Sequence, residues 1–142
     1  MSDARPAMQA FNQKIIEEFR ANHGVVGPPF EGAPMILVTH TGARSGTERT
    51  SPLVYTRDGD RYVIIASKGG APDNPDWYHN LRANPRATVE VGDERFVADV
   101  EIYTDGPERD RLFDAMAEAM PNFRDYADNT TRVIPVVALS RA

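Results

Sequence analysis

The chain has 142 residues, 41% of them apolar and 26% charged, with no cysteine and a formal net charge of −5. Those values describe one globular domain, residues 1–142, and exclude disulfides, thiolate metal sites and a cysteine nucleophile. Net acidity argues against a nucleic-acid partner, whose phosphates demand the opposite charge balance.

The N-terminus lacks the apolar run of a signal peptide, and no stretch approaches the ~20 apolar residues of a membrane span. A cytoplasmic protein is expected, with peripheral membrane contact left open for its first helix. In that helix, within residues 1–24, Met8, Phe11, Ile15 and Phe19 recur at three- and four-residue spacing, and Gly24 supplies a stop. Its mixed charges favour packing on the domain, on or near a pocket mouth, over lying on lipid. "VVGPPFEGAP" (25–34) is too rich in proline and glycine to be regular and reads as a connection.

Three β-type runs follow, 35–41, 51–58 and 61–67, the last two joined as a hairpin across "DGD". Asn74 is placed to cap a helix that starts at Pro75. Residues 86–92 and 95–103 alternate apolar and polar around "GDE", a second hairpin. Asp105 and Glu108 form a capping-box pattern ahead of a helix carrying Leu112, Phe113, Met116 and Met120, which halts at Pro121. "VIPVVAL" (133–139) closes the chain as a strand, with Pro135 indicating an edge or a bulge. Six strands dominated by hairpins suggest a small antiparallel barrel with flanking helices. Periodicity does not separate a closed barrel from an open α+β sheet.

Two loops could carry chemistry. In "THTGARSGTERTSP" (39–52), Gly42 and Gly46 turn the backbone with N–H groups exposed, and Arg44, Ser45, Thr47 and Arg49 add side-chain donors. The plain alternative is a solvated hairpin loop. In "SKGGAPDNPDWYHNLRANP" (67–85), Lys68, Gly69 and Gly70 precede a helix whose N-terminus favours anions, with Trp77 and Leu81 as core at i, i+4. Two donor-rich loops at one end of a sheet point to a ligand that is anionic at more than one place. Phe123 and Tyr126 lie three apart, either as core aromatics or as a lid over a flat ligand. His23, His40 and His79 lack metal-ligand spacing and read as surface or satisfied histidines, so no metal is expected.

Taken together, "IIEEFRANHG", "THTGARSG", "SPLVY", "ASKGGAPDNPDWYHNLRANP" and "FRDYADNTTRVIPVV" resemble the deazaflavin (F420)-dependent nitroreductase family of actinobacteria over nearly the whole chain. The resemblance implies a split β-barrel of six or seven antiparallel strands, mainly β within α+β, that binds coenzyme F420. It places phosphate and glutamate tail at Arg44, Ser45, Gly46 and Thr47. The deazaflavin and its linker fall to Ser67, Lys68, Gly69, Gly70, Asn74, Pro75, Trp77 and Tyr78, with further contacts from Ser51, Pro52 and Val54. Ser67 and Tyr126 are the catalytic candidates, as hydrogen-bond donors to acceptor oxygens, and Met120, Phe123 and Tyr126 are the substrate side. The activity implied is hydride transfer to a small acceptor such as a quinone, enone or nitroaromatic. Nitro-reducing members carry a cluster of tyrosines in the lid where this chain has Met120 and Phe123, so quinones and enones suit it better than nitroimidazoles. The alternatives are an FMN-binding barrel and a non-catalytic F420-binding protein. A monomer or homodimer is expected.

Overall fold

The structure is a computed structural model that describes residues 5–28, 32–71 and 73–142; the side chains of residues 5–9, Met8 among them, lie outside the described set. Helix α1 (Arg5–Ala21) precedes strands β1 (Met35–Thr41), β2 (Glu48–Val54), β3 (Thr56–Asp58) and β4 (Arg61–Ile65). A 3-10 turn (Lys68–Gly70) and helix α2 (Asp76–Ala83) lead to β5 (Arg86–Val91) and β6 (Glu94–Tyr103). Helices α3 (Gly106–Ala119) and α4 (Asn122–Asp128) then precede β7 (Val136–Arg141).

All seven strands form one antiparallel sheet in the order β2-β1-β5-β6-β7-β4-β3. The run expected as a single strand over 51–58 is two strands, and the break at Tyr55 has a topological cause. β2 pairs with β1 (Val38↔Ser51, His40↔Arg49), whereas β3 pairs with β4. The chain therefore changes partners at Tyr55, passing from one edge of the curled sheet to the other. The result is a half-barrel split between β2 and β3.

β1 is apolar on both faces because both are covered. Its Ile36 and Val38 face the concave side with Ile64, Val89, Val137, Leu139 and the helix α2 residues Trp77, Tyr78 and Leu81. Met35 and Leu37 pack outward against Ile15, Ile16 and Phe19 of α1. On another face, α3 and α4 bury Leu112, Phe113, Met116 and Phe123 against Val63, Ile65 and Val136. Gly24 ends the α1 region as expected: it has φ +92°, and a Cβ there would lie 2.8 Å from the Gly92 backbone.

Several local expectations gave way to longer-range partners. Asn74 does not cap α2; the N-cap is Pro75, and the Asn74 Oδ1 accepts from Arg132 instead. Asp105 makes no side-chain cap bond either. Glu108 is drawn away from a capping box to Arg61 (3.2 Å) and Arg111. Those two arginines also bind Asp58 and hold its carboxyl below the usual carboxylate range, Arg111 more than Arg61. The last strand begins at Val136, and β7 is central between β6 and β4. Pro135 sits just ahead of it, where its missing N–H costs no ladder bond and its carbonyl accepts from Ala66 (3.0 Å). It marks neither an edge nor a bulge.

Leu81 is fully buried within the concave face. Leu81→Ala is expected to cost about 2–5 kcal/mol through the cavity left behind. Urea unfolding checks this as a lower midpoint with an unchanged m-value.

Candidate active site

A cavity of about 1030 Å³ opens along the split. Edge strand β2 lines it from Arg49 to Val54, and Ile65, Ser67 and Lys68 line it from the end of β4. Pro75, Asp76 and Trp77 contribute the start of α2, and Met120, Asn122, Phe123 and Tyr126 the α4 region. Phe11, Asn12, Gln13 and Ile16 bring α1 to it as well.

Of the residues singled out from sequence, Ser51, Pro52, Val54, Ser67, Lys68, Pro75, Trp77, Met120, Phe123 and Tyr126 therefore share one cavity. Others do not line it. Tyr78 is buried in the concave core and Asn74 is tied to Arg132. Gly70 packs under α4: its φ is +84°, and a Cβ there would lie 2.8 Å from the Tyr126 carbonyl oxygen. Gly69 continues the 3-10 turn beside it.

Arg44, Ser45, Gly46 and Thr47 also stay out of the cavity wall, in an exposed turn. The N–H groups expected to be open there are largely in use. Gly42 donates to the Thr47 carbonyl (2.8 Å) and Gly46 to the Gly42 carbonyl (3.0 Å). Thr47 donates to Ser45 Oγ and Ala43 to Asn80 Oδ1. The turn thus keeps its shape with its own donors. Arg44 makes no ion pair among the described residues.

The helix α2 N-terminus is likewise not a free anion site. Asp76 occupies its first turn and faces the cavity, so a resident carboxylate already meets the helix dipole. Positive charge comes from elsewhere. Arg49 has no carboxylate partner among the described residues, and Lys68 has only a solvent-exposed pairing with Asp73 at 3.2 Å. Arg49 was visible in the sequence as one more loop donor. Strand alternation from Glu48 onward places it on one face of β2 with Ser51 and Leu53.

The aromatic side of the cavity is ordered by packing. Phe123 and Tyr126 meet edge to face, with ring centroids 5.5 Å apart. Asn122 Nδ2 donates to the Tyr126 hydroxyl oxygen at 3.1 Å, which leaves the phenolic proton to donate onward. Ser67 is buried, and its hydroxyl has no hydrogen-bond partner among the described residues. Lys68 adopts φ +48°, a left-handed backbone conformation unusual for a residue with a side chain.

What holds that backbone in place is Arg132, which the sequence reading missed. Its guanidinium donates to the carbonyls of Ala71 (2.8 Å), Ala66 (3.1 Å) and Ser67 (2.7 Å), and to Asn74 Oδ1 (2.8 Å). One planar fork thus ties both ends of the "SKGGAPDN" loop. No periodicity marks such a residue, because it lies in an irregular segment and its partners are backbone oxygens some sixty positions away.

His40 is buried on the concave face beside β2, bonded through Nε2 to Ser51 Oγ (2.9 Å) and through Nδ1 to Asn80 Nδ2 (3.0 Å). Burial lowers its pKa from 6.5 to about 4, with Arg49 adding to the shift and Asp76 opposing it. It is a satisfied histidine, as expected. Among the described residues no cluster of His, Asp and Glu is arranged for a metal, and no helix is long and apolar enough to cross a membrane.

Two outcomes follow from this geometry. Arg132→Lys should raise amide exchange selectively across residues 66–74, since one ammonium cannot replace four fixed bonds; a cost on the order of 3 kcal/mol is expected in global unfolding. For His40 the folded value lies below the unfolded one, so its contribution to stability is full above 6.5 and is lost as pH falls toward 4. Thermal midpoints across that window should drop more in the parent than in a His40→Gln variant.

The family model for F420H(2)-dependent quinone reductase matches residues 12–141. An F420H(2)-dependent quinone reductase of Mycobacterium tuberculosis (strain ATCC 25618 / H37Rv) is 44% identical over 126 residues, covering 87% of this chain and 85% of that one. Among solved structures, an F420-H2 dependent reductase (FDR-A) superposes with a TM-score of 0.69 at 37% identity, over 75% of this chain and 94% of its own. A chain solved as a domain-swapped dimer gives 0.71 at 30% identity, over 97% and 100%. A heme storage protein from Vibrio cholerae, HutZ, shares the fold alone, with a TM-score of 0.61 at 13% identity over 92% of this chain and 90% of its own. The chain is thus an oxidoreductase of split-barrel fold whose family works with coenzyme F420, and no FMN alternative is needed: it belongs to the F420H(2)-dependent quinone reductase family.

Proposed function

We propose that the protein reduces a quinone, or a comparably activated enone, with F420H2 bound in the cavity along the split. The observation that carries this reading is the pairing of two cations, Arg49 and Lys68, with the flat apolar surfaces of Trp77 and Phe123 in one cavity. That donor set suits a molecule both anionic and planar, and the charges come from two different walls. When bound, the reduced cofactor supplies a hydride.

The chain's own residues bind, orient and exclude water. Arg49 and Lys68 take anionic oxygens of the cofactor. Arg44, exposed and unpaired among the described residues, extends the positive track toward the glutamate tail, with Ser45, Gly46 and Thr47 shaping the turn that carries it. Trp77, Phe123, Met120 and the α1 residues Phe11 and Ile16 limit water around the ring and the acceptor. Ser67 and Tyr126 donate hydrogen bonds to acceptor oxygens, where negative charge develops as the hydride arrives. The quinone reading rests on the lid: Met120 and Phe123 offer apolar contact, and Tyr126 and Ser67 offer donors to carbonyl oxygens. A monomeric or homodimeric state, and a cytoplasmic location, belong to the same reading.

A fluorescence titration with F420, run beside FMN, tests the cofactor site; saturable F420 binding with none of FMN is expected. Arg49→Ala and Lys68→Ala should each weaken F420 binding about tenfold, the loss of one charge-assisted contact. Lys68→Gly separates charge from backbone strain: affinity should drop as in Lys68→Ala, while stability rises by up to about 1 kcal/mol because φ +48° suits glycine. Oxidation of F420H2 by a naphthoquinone, followed by absorbance, should slow in Tyr126→Phe with F420 affinity unchanged. Parent-like binding in both charge-to-alanine variants would remove the anion-binding argument.

A further inference from the structure

A chain of hydrogen bonds runs from the exposed turn into the cavity wall, and its direction cannot be reversed. The Ala43 backbone N–H can only donate, so the Asn80 atom 2.9 Å from it is the carbonyl Oδ1. This orients Asn80 Nδ2 toward His40 Nδ1 at 3.0 Å. An amide nitrogen is a donor only, so Nδ1 is the unprotonated acceptor, and the imidazole is neutral with its proton on Nε2. That proton is donated to Ser51 Oγ at 2.9 Å. Ser51 therefore already accepts a bond from the protein. Its own hydroxyl proton has no acceptor among the described residues, and the side chain lines the cavity.

The surroundings favour this state. His40 and Asn80 are both buried, and burial holds the imidazole neutral. The charged groups acting on the ring are Arg49, on the facing strand, and Asp76, on α2. Arg49 and Ser51 are two positions apart on β2, hence on one face of the strand, so a cation and a committed donor stand side by side.

We propose that Asn80 and His40 are positioning residues that fix the Ser51 hydroxyl as a hydrogen-bond donor to an anionic oxygen of the bound cofactor, beside Arg49. The proposal rests on the reading that F420 occupies the cavity. The sense of the chain matters because a serine free to rotate can present lone pairs, which repel an anion, whereas one already accepting from His40 presents its proton.

The test begins on the intact chain, without disturbing the network. In a His23→Gln/His79→Gln variant His40 is the only histidine left, since the sequence has three. Long-range proton–nitrogen NMR of 15N-histidine-labelled protein at pH 7 should show a neutral ring protonated at Nε2. A proton on Nδ1, or an imidazolium, overturns the chain's direction whatever the cavity holds.

Fluorescence titration with F420 tests the remainder. Ser51→Ala should weaken binding about tenfold and Ser51→Thr should restore it. Asn80→Leu, of similar size, should let the His40 proton divide between the two nitrogens and weaken binding several-fold. In a Ser51→Ala/Arg44→Ala background, which also removes the cation on the turn that Asn80 holds through Ala43, Asn80→Leu should add nothing further. Additive losses, or parent-like affinity in Ser51→Ala, would overturn the positioning role even if Asn80→Leu fails to fold. Absence of F420 binding by the parent would overturn the cofactor reading instead, and the tautomer measurement keeps the two failures apart.

Discussion

Helix α2 seated in the concave face of the curled sheet is the packing on which the rest depends. Trp77, Tyr78 and Leu81 fill the space that Ile36, Val38, Ile64 and Val137 leave between them. A half-barrel with two unjoined edges has no ladder to close it, so apolar burial of this helix supplies what edge pairing would otherwise provide. Three site features follow from that one docking. Trp77 is brought to the cavity, Asn80 reaches Ala43 and His40, and the loop leading into α2 must cross the open end of the sheet.

That loop is the costly part of the design. It carries a lysine with a left-handed backbone and a run of polar main-chain groups next to a cavity. Arg132 satisfies four of its acceptors with one rigid cation, and Gly70 lets α4 approach without a side chain between them. Burial weakens the hold of that guanidinium on its own proton, Asp73 opposing, yet its donors stay fully used. A strained segment held by an over-determined network is the usual way to preorganise a binding site. The turn over residues 42–47 is held in shape differently, by closing hydrogen bonds on itself and on Asn80.

Much of the fold was legible in the chain. Apolar spacing located α1 and α3, the turn residues at "DGD" and "GDE" located both hairpins, and the Pro-Asp-Trp-Tyr stretch located α2. These signals are local, set by backbone geometry and by which face is buried. The misses share one cause. Asn74 and Glu108 each had a sound local role, as a cap and in a capping box, and each was taken by an arginine distant in sequence, Arg132 and Arg61, while Asp105 makes no side-chain cap bond. Tyr55 looks like mid-strand because its neighbours are β-formers, and only the change of partner from β1 to β4 breaks it.

The site divides along the same line. The sequence by itself determined the chemical stock of the cavity: the cationic glycine turn, the aromatic pair before the last strand, the absence of thiols, and the motifs that resemble an F420 family. Only the tertiary structure decided which of those residues share a wall. It put Arg49 on the cavity wall and left Arg44 outside it, set Asp76 at the helix end expected to attract anions, and joined Asn80, His40 and Ser51 into one oriented chain. Residue type and short-range spacing are properties of the chain, but proximity across 40 or 60 positions exists only once the sheet has curled and α2 is buried within it.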